Sequence, residues 1–271
     1  MPYIHIDGKR LYYREYGKGT PIVFLNGLMM TTTSWLPFKD IVAKKYRMLT
    51  IDLLDQGRSD DCKEGYTIDT QVIFLNKFLD KLGLHKVHLL GMSYGGKVAL
   101  TFTIKYPSKV SLLILSHTAS FTSNIMKEIG KGWAYAVSSL DGEIFSSIVL
   151  PYMYSYRFYE NNYKAIERNK KAISKVLNER WKNRFIRSLE SMLSYDVSQE
   201  IKNIKVPTLV ISSELDMISP SNYQEFIHKQ IENSQWVIIE EAGHAVLYEK
   251  PEEYISIVME FIEKIDKPHI L

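Results

Sequence analysis

The chain predicts an α/β protein: a mostly parallel central β-sheet flanked by helices, with a helical segment inserted after the sixth strand. Three observations carry that expectation. Short, wholly apolar runs alternate with amphipathic helical stretches, as strands buried on both faces and joined by helical crossovers do. The alternation stops near Ala119 and resumes at about Pro207, with a long helical stretch between. The turn that leads out of one apolar strand into a helix reads Gly91-Met92-Ser93-Tyr94-Gly95-Gly96.

Taken in order, Tyr3–Ile6 and Leu11–Glu15, joined through Asp7–Gly8, read as a hairpin. After the loop Gly17-Lys18-Gly19 comes Pro21–Leu25, an unbroken apolar strand. It runs into Asn26-Gly27-Leu28-Met29-Met30, a Thr/Ser cluster and an amphipathic segment from Trp35 to Lys44. Arg47–Ile51 is the next strand, ending at Asp52, and Asp55-Gln56-Gly57-Arg58-Ser59-Asp60-Asp61 is a loop. Ile68, Val72, Leu75, Leu79 and Leu82 repeat at helical spacing, with Thr67 placed to cap that helix. Lys86–Leu90 is the strand before the glycine-rich turn, and the helix after the turn runs to Tyr106, where Pro107 stops it. Val110–Leu115 is the sixth strand. From about Ala119 to Ile204 no core strand is evident, and the segment carries aromatics such as Trp133, Tyr135, Phe145, Tyr152 and Trp181. No Gly/Ser/Pro-rich linker marks its borders, so 119–204 is expected to be a helical cap on a core formed by 1–118 and 205–271, rather than a separate domain. The sheet resumes with Pro207–Ser212. Ser219–Pro220 is expected to open a helix with a capping hydroxyl, Gln235–Ile239 is the last strand, and Pro251 begins the last helix.

Composition narrows the function classes. With 34 basic and 31 acidic residues the net charge is only +3, and no basic stripe suits nucleic acid. A single cysteine, Cys62, excludes an internal disulfide and fits a reducing compartment. No signal-peptide layout is evident at the N-terminus, and no apolar run approaches the length of a bilayer span. A cytoplasmic protein with no nucleic-acid or membrane partner is expected; the oligomeric state is open.

Gly91-x-Ser93-x-Gly95 between a buried strand and a helix is the context of a nucleophile elbow. Glycines there let strand and helix approach closely, and the serine takes a strained backbone that lifts its hydroxyl clear of the sheet. A serine hydroxyl needs a base within reach, and functional groups in a parallel sheet collect at the strands' carboxyl ends. His244, in the loop after the last strand, meets that condition. His5, His85, His88 and His228 lie within or before strands or in a helix, and His269 lies in the terminal tail. His117, just past the sixth strand, is the rival base. For the acid, Asp216 follows the strand ending near Ser212, with Glu214 as competitor. The order is then Ser93, Asp216, His244.

That order, with Asp52-x-x-x-x-Gly57-Arg58-Ser59-Asp60 and Gly243-His244, resembles the α/β-hydrolase fold family in its small capped branch, from about Gly17 to Phe261. The resemblance implies an oxyanion hole made by the backbone N–H groups of Leu28 and Tyr94. Two departures stand out. Asn26–Gly27 replaces the family's usual His-Gly, and Leu54-Asp55-Gln56-Gly57 replaces Arg-Gly-His-Gly. Asn26 is expected to hold the loop by hydrogen bonding. Met29 and Trp133 are candidate substrate contacts, because methionine and aromatic side chains line apolar pockets. The expected activity is a serine hydrolase acting on a small carboxylic ester through an acyl-enzyme, needing neither cofactor nor metal, its partner a small-molecule acyl substrate. The same triad serves thioesterase, lactonase, acyltransferase and C–C hydrolase chemistry, and a non-turnover ligand sensor is the alternative of a different class.

Overall fold

The computed structural model describes residues 2–267, so the tail containing His269 lies outside the described residues. Eight strands form one sheet: β1 Tyr3–Ile6, β2 Lys9–Tyr16, β3 Pro21–Leu25, β4 Arg47–Ile51, β5 Val87–Met92, β6 Val110–Ser116, β7 Thr208–Ser213 and β8 Ser234–Ile239. Their spatial order is β1-β2-β4-β3-β5-β6-β7-β8; only the β1–β2 and β2–β4 pairs are antiparallel. The parallel strands β5 and β7 are buried along their whole length, which explains the apolar stretches Leu89–Leu90 and Leu209–Ile211 at their centres.

Helices cover both faces. On one lie α2 Ile68–Lys81, α3 Tyr94–Lys105 and α9 Ser221–Gln230; Val72, Leu75, Val98, Phe102 and Ile227 pack there on Leu89, Leu113 and Val210. On the other lie the short α1 Lys39–Val42 and α10 Val246–Glu249 with the long α11 Pro251–Asp266, whose Tyr254, Val258 and Ile262 pack on Phe24, Leu90 and Ile114. Two caps differ from expectation. Thr67 precedes α2 without a side-chain bond to it, and α9 begins at Ser221 behind Pro220, again uncapped. Ser219 has its hydroxyl committed elsewhere, as described below. The segment expected as one amphipathic stretch from Trp35 to Lys44 is divided: its start belongs to a 3-10 helix (Thr32–Phe38), with Pro37 inside it, and Lys39–Val42 is α1.

Between β6 and β7 lie five helices: α4 Asn124–Ser138, α5 Gly142–Met153, α6 Tyr156–Asn161, α7 Tyr163–Val176 and α8 Glu179–Glu190. The two stems of this insertion meet in an isolated antiparallel bridge, Phe121 to Asp196, flanked by Thr122 N–H to Tyr195 O and Val197 N–H to Ser120 O. Its own core is aromatic: Trp181 stacks on Phe185 at 5.2 Å, and Phe145 meets Phe185 edge-on at 5.4 Å. Helix α8 is tied to the loop after β4 by three arginines. Arg187 makes two hydrogen bonds to Asp55, and Arg180 and Arg184 share Asp61. No helix among the described residues is long and apolar enough to cross a membrane.

Candidate active site

Ser93 stands alone between β5 and α3, at φ 50° and ψ −110°. A non-glycine residue there is strained, and only rigid surroundings maintain it. Those surroundings are close-packed backbone. A Cβ on Gly91 would run into the Gly95 carbonyl, and one on Gly95 would overlap the Leu25 carbonyl at the end of β3. The Ser93 N–H donates to Ser116 O at 2.8 Å, and its carbonyl accepts from the Thr118 hydroxyl at 2.8 Å. The turn is therefore pinned to β6 as well as to its own strand.

The structure brings the predicted Ser, Asp and His together at the carboxyl edge of the sheet. Ser93 Oγ lies 2.9 Å from His244 Nε2, and His244 Nδ1 lies 2.8 Å from Asp216 Oδ2. His244 and Asp216 are both buried. The Asp216 carboxylate also accepts the backbone N–H groups of Ile218 and Ser219 at 2.9 Å each. Burial pushes its pKa upward, but His244 and these hydrogen bonds outweigh that and hold it below the usual carboxylate range. Asp216 thus stays charged and fixes which imidazole nitrogen carries the proton.

The two rivals are elsewhere. Glu214 is exposed and accepts the Glu241 N–H at 2.9 Å. His117 is buried with both ring nitrogens occupied, Nδ1 by Ser116 Oγ at 2.7 Å and Nε2 by Ser213 Oγ at 2.6 Å. Burial drives its pKa down to about 3, so it is neutral at ordinary pH. It packs edge-on against His244, 5.9 Å between ring centres, as a wall rather than a base. Burial pushes the Cys62 thiol up to about 11, which leaves no thiolate to compete as nucleophile.

Neither Leu28 N–H nor Tyr94 N–H has an acceptor among the described residues. A Cβ on Gly27 would be 3.4 Å from that of Ser93, so the loop carrying Leu28 lies directly against the serine. Asn26 holds this loop as expected. Its side chain donates to Ile51 O at 2.9 Å and Asp52 Oδ1 at 3.1 Å, and accepts from Trp35 Nε1 at 2.8 Å. Gln56 Nε2 donates to the Gly27 carbonyl at 3.3 Å. Because a trans peptide points its C=O and N–H in opposite directions, that bond turns the Leu28 N–H away from Gln56.

Above the serine opens a cavity of about 260 Å³. Met29 and Trp133 both line it, as do His117 and Lys97. Among the insertion's aromatics only Trp133 does so. The wall above the serine is otherwise methionine and aliphatic, because the insertion's other aromatic rings pack on one another behind it. Six of the ten methionines, at 29, 30, 92, 126, 153 and 192, reach the cavity. Their unbranched thioethers adapt to ligands of differing shape. The indole N–H of Trp133 is buried and has no hydrogen-bond partner among the described residues.

Sequence reasoning missed several participants. Ser219 Oγ lies 2.8 Å from Asp216 Oδ2 and 2.9 Å from His117 O, and so braces the acid instead of capping a helix. Its Ser-Pro context was the misleading signal. Glu249 binds both Ser155 and the Gly243 N–H at 3.1 Å, joining the His244 loop to the inserted helices. Nothing local in the sequence marks that contact. Among the described residues no group of three His, Cys, Asp or Glu could hold a metal ion.

Comparison with known proteins places this geometry in context. The alpha/beta hydrolase fold family matches residues 20–251. The crystal structure of an alpha/beta hydrolase enzyme from a Medee basin deep-sea metagenome library superposes with a TM-score of 0.95 at 32% identity, covering 99% of this chain and 100% of that one. A thermophilic esterase from Thermogutta terrifontis gives a TM-score of 0.84 at 25% identity, covering 97% of each chain. The proline iminopeptidase of Lactobacillus acidophilus is 28% identical over 291 residues, 98% of each protein.

Proposed function

The chain belongs to the alpha/beta hydrolase fold family, and on that premise we propose that it is a serine hydrolase cleaving a small carboxylic ester through an acyl-enzyme. The observation that carries this reading is the unbroken hydrogen-bonded chain from Ser93 through His244 to Asp216, opening onto an apolar cavity. Ser93 Oγ attacks the carbonyl while His244 Nε2 takes its proton. His244 then returns that proton to the leaving alcohol, and Asp216 stabilises the imidazolium in between. The N–H groups of Leu28 and Tyr94 receive the oxyanion of each tetrahedral intermediate. Water, activated by His244, releases the acid and restores the serine. Residues 119–204 act as a cap, with Met29 and Trp133 as substrate contacts and the Trp133 N–H meeting a substrate acceptor. The single half-buried cysteine fits a cytoplasmic setting.

The relative named proline iminopeptidase raises a second reading, peptide cleavage after an N-terminal proline. That substrate brings a protonated secondary amine, which needs an acidic partner. The acid at the cavity wall is Glu190, exposed on α8, and three lysines, Lys97, Lys127 and Lys131, line the same cavity. The charge balance therefore favours the ester. Turnover of nitrophenyl butyrate beside proline nitroanilide tests the choice. The ester is expected to turn over many times and the anilide far more slowly; the reverse ranking would make the protein a peptidase, and a burst that stops after one equivalent would make it a sensor.

A further inference from the structure

Lys97 lies four residues after Ser93, in the first turn of α3, and both residues line the same cavity. It is 5% exposed yet lines the cavity. Its ammonium is held by the Phe121 carbonyl at 2.9 Å and, at longer range, by Thr122 Oγ1 at 3.3 Å and Ala119 O at 3.4 Å. It also sits 4.4 Å from the centre of the Tyr195 ring. All of these partners are neutral. No carboxylate among the described residues comes within ion-pair distance; Asp196, exposed on the stem of the insertion, acts only from farther away. A buried cation without a counter-charge is costly, and proteins pair such groups or leave them for a ligand. Burial accordingly draws its pKa down to about 7, a loss that an arriving anion would reverse. The two long contacts are the ones that an incoming oxygen could take over.

We propose that the cavity selects substrates bearing a carboxylate, which pairs with the Lys97 ammonium while the reacting carbonyl lies at Ser93. This deepens the ester-hydrolase reading and rests on it only for the position of the carbonyl. Lys97 becomes a specificity residue, and the wall of methionines accommodates the chain between the two ends.

Binding separates this from catalysis. Calorimetry on Ser93→Ala compares the mono-nitrophenyl ester of glutarate with nitrophenyl pentanoate, which has the same carbon chain without the charge. The glutarate ester is expected to bind at least about tenfold more tightly, the worth of one charge-assisted hydrogen bond. Adding Lys97→Met should erase the difference and Lys97→Arg should retain it, whereas a purely structural loosening would weaken both esters alike. Equal binding of the two esters to Ser93→Ala overturns the proposal, as does a preference that survives Lys97→Met, which would assign it to Lys127 or Lys131. If the Met variant does not fold, the Ser93→Ala comparison and the Arg variant still decide. A binding preference in a protein whose Ser93 form hydrolyses neither ester would sink the nucleophile assignment and leave Lys97 standing. Hydrolysis of both esters without a binding preference would do the opposite.

Discussion

The two sides of the cavity are held by different physics. Below, at the strand ends, Ser93, His244 and Asp216 are fixed by directional bonds of 2.8 to 2.9 Å, with Ser219 and His117 bracing them. Above, α4 and α8 present methionine, isoleucine and leucine, held by non-directional packing, and leave the Trp133 N–H unpaired among the described residues. On the proposed reading, the contrast separates reaction from selection. Misplacing a directional bond costs rate on every substrate, while reshaping a soft wall changes which substrate fits. Within the roof a second contrast appears. Helix α8 is clamped to the core through Asp55 and Asp61, whereas the ion pair on α4 that involves Lys131 is internal, to Glu128. Helix α4 also contains Gly130, where an added Cβ would meet Leu189 of α8 at 3.7 Å, and Gly132, where it would meet nothing within 4 Å.

The largest expected effect is on the floor. Asp216→Asn should lower kcat by about 10⁴ for esters of every chain length, because the amide favours the wrong imidazole tautomer. Glu214→Gln, whose carboxylate faces the Glu241 N–H, should stay near wild type. Steady-state kinetics checks both, and the reverse ranking would move the acid.

Next comes the clamp. Arg187→Met leaves the buried Asp55 carboxylate without its partner, so denaturant unfolding should register a loss of about 3 kcal/mol. Substrate selection should blur with it as α8 loosens, while labelling of Ser93 persists. An unchanged midpoint would mean that the apolar packing alone fixes α8.

A smaller effect belongs to Lys97, which spans both regions. In the unfolded chain it keeps its proton up to 10.5; in the native state burial releases the proton from about 7. Between those values the unfolded state binds more protons, so this group makes stability rise with pH. Its penalty is fully present below the lower value and fades toward the upper one. Lys97→Met should therefore show a flatter rise in unfolding midpoint from pH 7 to pH 10 than wild type. Parallel profiles would mean that the amine is not desolvated.

How much of this was legible follows the same division. Strands β3 and β4 coincide with their expected spans because a run buried on both faces is written as a run of apolar residues, and β1 does because the Asp7–Gly8 turn marks its end. That Ser93, Asp216 and His244 lie together at the strand ends was legible because each follows a strand end. The roof was harder to read. Trp133, Phe145 and Trp181 declare a core, but composition does not say which side of a helix faces a cavity, so Met126, Met153 and Met192 went unassigned where Met29 did not. Long-range polar partners such as Gln56 with Gly27 and Glu249 with Gly243 depend on tertiary contact and have no local signature.

The smallest effect sharpens the picture of the wall. Each buried methylene contributes about 0.8 kcal/mol, up to about fourfold in kcat/KM per carbon, until the cavity is full. Nitrophenyl esters from acetate to palmitate should climb and then fall between butyrate and octanoate. A maximum at palmitate would mean that the roof opens far beyond its closed volume.

The central claim is that Ser93, activated by His244, is the nucleophile. Reaction with a fluorophosphonate, followed by mass spectrometry of the intact chain and of its peptides, tests it most directly. A single adduct on the peptide containing Ser93 is expected, formed far more slowly in His244→Ala and absent from Ser93→Ala. Stoichiometric labelling of Ser93→Ala, or an adduct on any other peptide, would contradict the account.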